Sequence, residues 1–198
     1  MTHTLPQAER KRRPRELAQQ MLPANFMFVH VADVAPLGPN FLRVTLEGED
    51  MSRHQDDAIH FRLVQPPIAG TPTWPSVAAN GSILWPEGPG APHRPVYTTR
   101  FVDYRANTLM TDIFIHDGGR TTEWARELQR GDHSRSTVGL VGPSGGGLMQ
   151  ADRVLMATDE TGFPAAARIL EALPSNAVGD LFLEAEHGTA CAYPITAP

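Results

Sequence analysis

The chain has 198 residues, 41% of them hydrophobic and 20% charged, and a formal net charge of −5, a composition typical of a globular protein with a real core. This balance excludes a general nucleic-acid binder, and no apolar run approaches the roughly 18 residues of a membrane span. The single cysteine, Cys191, excludes an intramolecular disulfide and a zinc or iron–sulfur cage made of cysteines; with a polar first 20 residues, we expect a cytoplasmic protein whose redox chemistry would need a cofactor.

The first 22 residues are predicted to form a flexible basic tail. They contain four arginines and a lysine in the run 10–15, interrupted by one proline. A solvated terminal segment is the simplest interpretation, and steering of an anionic substrate or lipid is the alternative.

The next 120 residues predict an antiparallel β barrel. Runs rich in β-branched and aromatic residues, separated by prolines and glycines, indicate six strands at 26–34, 40–47, 58–65, 95–103, 108–115 and 137–141. The stretch 66–92 is crowded with proline and glycine and is predicted to be a surface loop with one short strand near Ile83, Leu84 and Trp85. A single helix is expected at 122–129.

Beyond the glycine-rich run 142–147, taken as an interdomain turn because it lacks the lysine of a phosphate loop, the pattern becomes α/β. A strand at 154–158, a helix at 161–173 and a strand at 181–184 form one βαβ unit. Such a unit belongs to a larger parallel sheet, and its open edge makes a homodimer one possible arrangement. We therefore predict a basic tail (1–22), a barrel domain (23–147) and a partial α/β domain (151–198).

Three segments together have the features of a flavin dinucleotide site. The first is Tyr97-Thr98-Thr99-Arg100, an aromatic, two hydroxyls and a cation on one strand; the others are 112–116 and 118–125, a strand that passes through glycines into a helix. A helix start offers unpaired N–H groups to a diphosphate, and Thr121 or Thr122 is expected to cap it. An ordinary capped helix between two strands is the alternative.

The order of these motifs, continued by Asp159-Glu160-Thr161-Gly162-Phe163-Pro164, resembles the siderophore-interacting protein family, FAD-containing ferric-siderophore reductases related to ferredoxin reductases. The resemblance implies a six-stranded antiparallel FAD-binding barrel, followed by a ferredoxin-reductase-like nicotinamide domain that is truncated here. It also implies an oxidoreductase that passes electrons from NAD(P)H through FAD to the iron of a ferric siderophore, releasing iron(II). A module that binds flavin or ferric chelate without catalysis, having lost the nicotinamide site, is the second hypothesis, and a barrel without cofactor is the third.

The resemblance also assigns residues. Tyr97 lies near the flavin ring and Thr98 near its reactive nitrogen, while the arginine expected two residues before the tyrosine is replaced by Pro95, which leaves Arg94 or Arg100 for a phosphate. The resemblance assigns the ribose, adenine and diphosphate of FAD to the second and third segments. It places the beginning of the nicotinamide domain at Asp159 and Thr161. The full set of candidate FAD residues is Arg94, Tyr97, Thr98, Thr99, Arg100, Asp112, Phe114, His116, Gly119, Thr121, Thr122, Trp124, Asp159 and Thr161.

No metal centre is predicted. His54 and His60 flank Asp56 and Asp57, but their spacing fits neither a helical histidine pair nor a recognised zinc motif. A ferric siderophore brings its own iron ligands, so the proposed chemistry needs none from the protein.

Overall fold

The computed structural model describes residues 21–68, 70–130, 137–148, 150–186, 188 and 192–196. Most of the predicted basic tail, with its arginine run, and Cys191 lie outside these residues. The described elements are β1 (Phe26–Leu37), β2 (Phe41–Gly48), β3 (Ala58–Val64), β4 (Ser76–Val77), β5 (Ile83–Leu84), β6 (Val96–Thr98), β7 (Phe101–Asp103), β8 (Thr108–Phe114), α1 (Arg120–Arg130), β9 (Thr137–Gly147), β10 (Arg153–Thr158), α2 (Phe163–Ala172) and β11 (Val178–Leu183).

Seven of the strands form one antiparallel sheet in the order β6-β3-β9-β1-β2-β8-β7. Alternation along the strands separates its two faces: in β3, Ile59, Phe61 and Leu63 are buried in the core, whereas His60 and Arg62 lie on the other face. Side chains from β1, β2, β3, β8 and β9 meet in this core, and α1 adds Ala125 and Leu128.

The first and last strands of this order, β6 and β7, are separated in the chain by Thr99 and Arg100 alone. The Thr99 N–H donates to the Ile59 carbonyl on β3 at 2.9 Å, and the Arg100 N–H donates to the Met110 carbonyl on β8 at 2.9 Å. The single predicted strand 95–103 is therefore broken at these two residues, because there the backbone changes partner from β3 to β8.

The prediction that residues 142–147 form an interdomain turn is wrong, since β9 continues to Gly147. The second half of β9 pairs with β3, with Ser144 opposite His60 and Gly147 opposite Ala58, across two register shifts. Gly145 has φ +87°, a backbone conformation that glycine adopts without strain. Glycine clusters here mark an irregular strand rather than the end of one.

Residues 21–24 and 66–92 form a compact unit of their own. As predicted, it is mostly irregular, with a short strand at Ile83; this β5 pairs with β4 in a hairpin that the sequence did not indicate. The Val77 N–H donates to the Met21 carbonyl at 3.0 Å, and the Thr73 hydroxyl donates to the Gly90 carbonyl at 2.7 Å.

The predicted βαβ unit is confirmed, with β10 and β11 parallel and α2 connecting them. Pro164 lies in the first turn of α2, where its missing N–H costs nothing. In the described part of the chain, neither helix combines the length and the apolarity needed to cross a bilayer.

Gly139 of β9 tests how tightly the sheet is packed. A Cβ at this position would lie 2.6 Å from Cε2 of Phe26 and 3.0 Å from Cβ of Val64, so Gly139→Ala is expected to lower the free energy of unfolding by about 1–3 kcal/mol. Urea unfolding measures the change. The control is Gly146→Ala, where no heavy atom lies within 4 Å; equal unfolding midpoints for the two variants would contradict the packing.

Candidate functional site

A cavity of about 300 Å³ lies where the antiparallel sheet meets the start of α2. One wall comes from β3, β6 and β8 with the residue two positions beyond β8, and the other from the turn before α2 and its first residues. The lining residues are His60, Val96, Tyr97, Thr98, Asp112, Phe114, His116, Thr161, Gly162, Pro164 and Ala165.

Tyr97 connects β6 to the first turn of α1. Its side chain shares a hydrogen bond with Thr121, and burial raises the pKa of the Tyr97 phenol while this bond opposes the rise. The Thr121 hydroxyl in turn donates to Oε1 of the buried Gln65 at 3.1 Å. Tyr97, predicted to lie near the flavin ring, and Thr121, predicted to lie on the diphosphate side, are therefore neighbours in the structure.

The start of α1 differs from the prediction. The helix begins at Arg120, and the Glu123 N–H donates to the Gly119 carbonyl at 3.1 Å, so Gly119 and not a threonine occupies the position before the first turn. Thr121 and Thr122 are buried inside that turn, and the prediction that one of them caps the helix is wrong. Gly118 and Gly119 have φ +77° and +88°, which allows the tight entry that side chains would strain. The first-turn N–H groups of a helix have no partner within it and favour an anion.

Phe114 and His116 form a stacked pair beside this helix start. Their ring centroids are 5.7 Å apart with 24° between the planes, and Nδ1 of His116 lies 3.1 Å from the Asp117 carbonyl oxygen. A Cβ on Gly119 would lie 3.2 Å from Cε1 of His116, so the glycine also leaves room for this ring. The pair offers a flat apolar and aromatic surface next to donors for an anion.

Asp112 is the centre of a buried polar cluster. Arg43, directly opposite on β2, donates to both carboxylate oxygens at 2.8 Å, and the Tyr193 hydroxyl donates to Oδ2 at 2.6 Å. Nε of Arg100 lies 3.4 Å from the same oxygen. The carboxylate raises the pKa of Arg43, and burial together with Asp112 raises the pKa of Tyr193.

Two arginines cross in opposite directions between the sheet and α2. Arg100, at the break between β6 and β7, donates to the Pro164 carbonyl at 3.3 Å and to Glu171 at 2.6 Å. Arg168, on α2, donates to the carbonyls of Thr99, Ile59 and Asp56 and to the Asp56 carboxylate. We call Arg100 and Arg168, with the contacts that each makes across this boundary, the arginine pair. These contacts set the distance between the two walls of the cavity.

The predicted element at Asp159 and Thr161 is a 3-10 turn, Glu160–Gly162, ahead of α2. The Asp159 carboxylate accepts the Thr161 N–H at 3.0 Å and the Thr161 hydroxyl at 2.6 Å. Asp159 therefore shapes the turn, while Thr161 and Gly162 line the cavity.

Behind β6, His54 is fully buried and its Nε2 lies 3.2 Å from the Thr99 hydroxyl. Burial lowers the pKa of His54 to about 4, with Asp56 opposing the shift and Arg168 adding to it. The imidazole is thus neutral at pH 7. Its contact with Thr99 supports the same break in the sheet at which Arg168 donates to the Thr99 carbonyl.

Six of the predicted residues line the cavity: Tyr97, Thr98, Asp112, Phe114, His116 and Thr161. The other eight do not: Arg94, Thr99, Arg100, Gly119, Thr121, Thr122, Trp124 and Asp159. In the described residues, no group of three or more histidine, cysteine, aspartate or glutamate side chains is arranged to hold a metal.

Sequence reasoning did not single out Arg168 or Arg43, and it weighed His60 only as a metal ligand. Arg168 carried a usable signal, because a cation interrupts the apolar face of a predicted helix. His60 and Arg43 carried none, since their roles depend on which residues lie opposite them on neighbouring strands.

Acid unfolding tests the buried histidine. The unfolded chain takes up a proton at His54 near pH 6.5 and the folded chain only near pH 4, so stability is lost as the pH falls through this window, by roughly 3 kcal/mol. His54→Gln should flatten the dependence of urea midpoints on pH between 6.5 and 4. His30→Gln, which removes a half-exposed imidazole on β1, serves as the control; identical slopes in wild type and His54→Gln would refute the assignment.

Truncation of Arg168 tests the arginine pair. Arg168→Ala leaves three carbonyls and Asp56 without this donor and is expected to lower the free energy of unfolding by about 2–4 kcal/mol. Arg168→Lys keeps the charge without the planar fork and should recover only part of it. Arg153→Ala, at an exposed position of β10, should leave the unfolding midpoint unchanged; a similar loss there would argue against a specific contact.

Two family models match the chain. A model described as siderophore-interacting FAD-binding domain matches residues 30–147, and one described as siderophore-interacting protein matches residues 151–198. The ferric vibriobactin reductase ViuB of Vibrio cholerae is 35% identical over 155 residues, which are 74% of this chain and 54% of that protein. The NADPH-dependent ferric-chelate reductase of Escherichia coli is 36% identical over 159 residues, 77% of this chain and 59% of that protein. The chain thus spans little more than half the length of these two relatives.

Solved structures agree with the family models. A siderophore utilization protein from T. fusca is 29% identical and superposes with a TM-score of 0.69 over 86% of this chain and 64% of that one. Ferredoxin reductases at 12–17% identity superpose with TM-scores of 0.51–0.54, which shows a shared ferredoxin-reductase-like fold and nothing more. With its FAD-binding domain at residues 30–147 and the matching α/β segment after it, the chain belongs to the siderophore-interacting protein family.

Proposed function

We propose that the protein is a FAD-dependent oxidoreductase that passes electrons from NAD(P)H to the iron(III) of a ferric siderophore and releases iron(II). One observation carries the proposal: a single cavity joins Tyr97 and Thr98 of the sheet to Thr161 and Gly162 at the start of the α/β segment. A reductase of this kind needs such a junction, because the electron donor and the flavin must meet there.

The residues around the cavity fit FAD. Gly118 and Gly119 form an entry to α1 that only residues without Cβ adopt easily, and the amides of the first turn follow directly. This arrangement suits a diphosphate, and the stacked pair of Phe114 and His116 beside it suits an aromatic or sugar group. When bound, FAD accepts two electrons as a hydride and passes them on singly, which suits a two-electron donor and a one-electron metal acceptor.

We assign the chain's own residues accordingly. Tyr97, in contact with Thr121, supports the ring, and the Thr98 hydroxyl is the polar contact at its edge. The start of α1 receives the diphosphate, and its residues in this assignment are Gly119, Thr121, Thr122 and Trp124. We no longer assign a phosphate to Arg100, because its guanidinium is already engaged by Asp112, Pro164 and Glu171. Arg94, the other cation that the motif offers, lies three residues before Tyr97 and is the arginine we assign to the phosphate.

Asp112 is also assigned a role different from the ligand contact that the resemblance implies. Both of its oxygens accept hydrogen bonds from Arg43, so we assign it to positioning β8 and the Tyr193 segment rather than to a ribose. Thr99 likewise supports the break between β6 and β7 through His54 and Arg168. These two residues hold the walls of the site in place.

The nicotinamide side is assigned to the turn shaped by Asp159 and to Thr161. The names of the relatives support the reaction class, because one is a ferric vibriobactin reductase and the other an NADPH-dependent ferric-chelate reductase. Siderophores hold iron(III) with hard oxygen ligands that bind iron(II) far less tightly, so reduction discharges the metal.

The finer architecture belongs to the same proposal. Since β6 and β7 are consecutive and lie first and last in the sheet order, we propose that they act as one strand that closes the sheet into a six-stranded barrel, within a domain of residues 23–147. Residues 151–198 then form a partial NAD(P)H-binding α/β domain. The cytoplasmic location and the homodimer stay predictions.

Spectroscopy of the purified protein tests the proposal in three steps. FAD added to the apoprotein should lose its fluorescence and bind stoichiometrically, NADPH or NADH added without oxygen should bleach the flavin, and a ferric siderophore should restore its colour with release of iron(II) to a ferrous chelator. Binding without bleaching would favour the non-catalytic module, and absence of FAD binding would refute the proposal.

Substitutions on β6 test the residue assignment. Thr98→Ala and Tyr97→Ala should each weaken FAD binding about tenfold, as expected for the loss of about 1.4 kcal/mol from one polar or ring contact. Thr45→Ala, on β2 and away from the cavity lining, is the matched control and should bind like the wild type. Unchanged affinity in both β6 variants would contradict the assignment.

A further inference from the structure

His60 is the one titratable side chain of β3 that lines the cavity. It lies directly opposite Thr98 on β6, and residues opposite each other on antiparallel strands project to the same face. The imidazole is therefore a neighbour of the hydroxyl to which we assign the flavin edge. It is half-buried, so that it reaches the cavity without being sealed in the core.

Among the described residues, neither ring nitrogen of His60 has a hydrogen-bond partner, whereas Nε2 of His54 lies 3.2 Å from the Thr99 hydroxyl and Nδ1 of His116 lies 3.1 Å from the Asp117 carbonyl oxygen. The recorded hydrogen bond of His60 outside the sheet ladder is made by its backbone carbonyl, which accepts from the Ser144 hydroxyl at 3.4 Å, and it does not involve the imidazole. A half-buried imidazole with both nitrogens unused is a group ready to bind a ligand.

The opposite strand leaves space for this ring. A Cβ on Gly145 would lie 2.8 Å from Nδ1 of His60, closer than side-chain atoms approach each other, and Gly145 has φ +87°. The irregular glycine segment of β9 thus holds the imidazole with Nδ1 toward the β9 backbone, which leaves Nε2 for a ligand. The glycine at position 145 thus accommodates an imidazole that makes no hydrogen bond among the described residues.

Burial, with a smaller effect from a neighbouring charge, favours the neutral form of His60. Desolvation lowers its pKa, and Arg168 on α2 lowers it further. Other charged or titratable groups of the elements around it are Asp56 before β3, which pairs with Arg168, Arg62 on β3, and Asp112 and His116 on the β8 side of the cavity. A neutral imidazole carries one N–H donor, which suits an acceptor such as a ring carbonyl or ring nitrogen.

We propose that His60 touches the flavin ring system in this cavity and donates a hydrogen bond from Nε2 to its polar edge, next to Thr98. The inference rests on the proposed function, because it takes the ligand to be FAD. It adds a cofactor-binding residue on β3 to those on β6 and α1.

The experiment is an NMR titration of the imidazole resonances with FAD, together with two substitutions at position 60. His60→Asn identifies the His60 signal, and His60→Phe keeps an aromatic ring at this position but removes both nitrogens. Saturating FAD should shift the His60 signal and lower its pKa further, because the ligand covers the ring. The imidazole resonances of His30, half-exposed on β1, should not move when FAD is added.

Binding provides the second readout. His60→Phe should weaken FAD binding about tenfold with an unchanged unfolding midpoint in the absence of FAD, whereas His30→Asn should bind like the wild type. If the wild type binds FAD while the His60 signal stays still and His60→Phe binds equally well, the inference fails and the proposed function stands. A wild type that does not bind FAD overturns both, and a His60 signal that responds only to a ferric chelate overturns the flavin contact.

Discussion

The arginine pair is the interaction on which the rest of the site depends. The backbone changes partner strand at Thr99 and Arg100, and a change of partner leaves a carbonyl without its ladder bond. Arg168 supplies that missing donor from α2, while Arg100 reaches back to α2 from the same place. One break in the sheet therefore attaches the helix whose first residues form the second wall of the cavity.

The polar groups on both sides of this break are paired with one another. His54 lies against Thr99, Asp56 accepts from Arg168, and Asp112 accepts from Arg43 and lies close to Arg100. Buried polar groups are costly when unpaired and rigid when paired. These paired groups therefore resist displacement of α2, and they hold Thr98 and Thr161 in the same cavity without taking part in the proposed chemistry.

The C-terminal segment is attached through the same paired groups. The hydroxyl of Tyr193 donates to Asp112, and its ring packs 4.5 Å from that of Phe41, with Phe163 of α2 in the same cluster. A single aspartate of β8 thus connects β2, the break after β6 and the end of the described chain. This explains why Asp112, which the family motif suggests as a ligand contact, has its oxygens occupied by the protein itself.

Sequence patterns determined most of the elements and their type. Alternating and helical apolar spacings located the strands, α1, α2 and the parallel β10–β11 pair to within a few residues, because these patterns reflect the burial of one face of each element. The flavin-site motifs and the family resemblance, rather than these spacings, selected the six predicted residues that line the cavity: Tyr97, Thr98, Asp112, Phe114, His116 and Thr161. The glycine run at 142–147 and the threonines of α1 were misassigned, since local propensity there was overridden by pairing with β3 and by an entry through Gly119.

Only the tertiary structure decided which polar groups are occupied and which are left for a ligand. That Arg100 and Asp112 serve the packing while His60 remains unused among the described residues depends on cross-strand register and on the position of α2, which are contacts between residues up to 112 positions apart. Local sequence patterns reflect the geometry of neighbours along the chain and carry little information about such distant pairs.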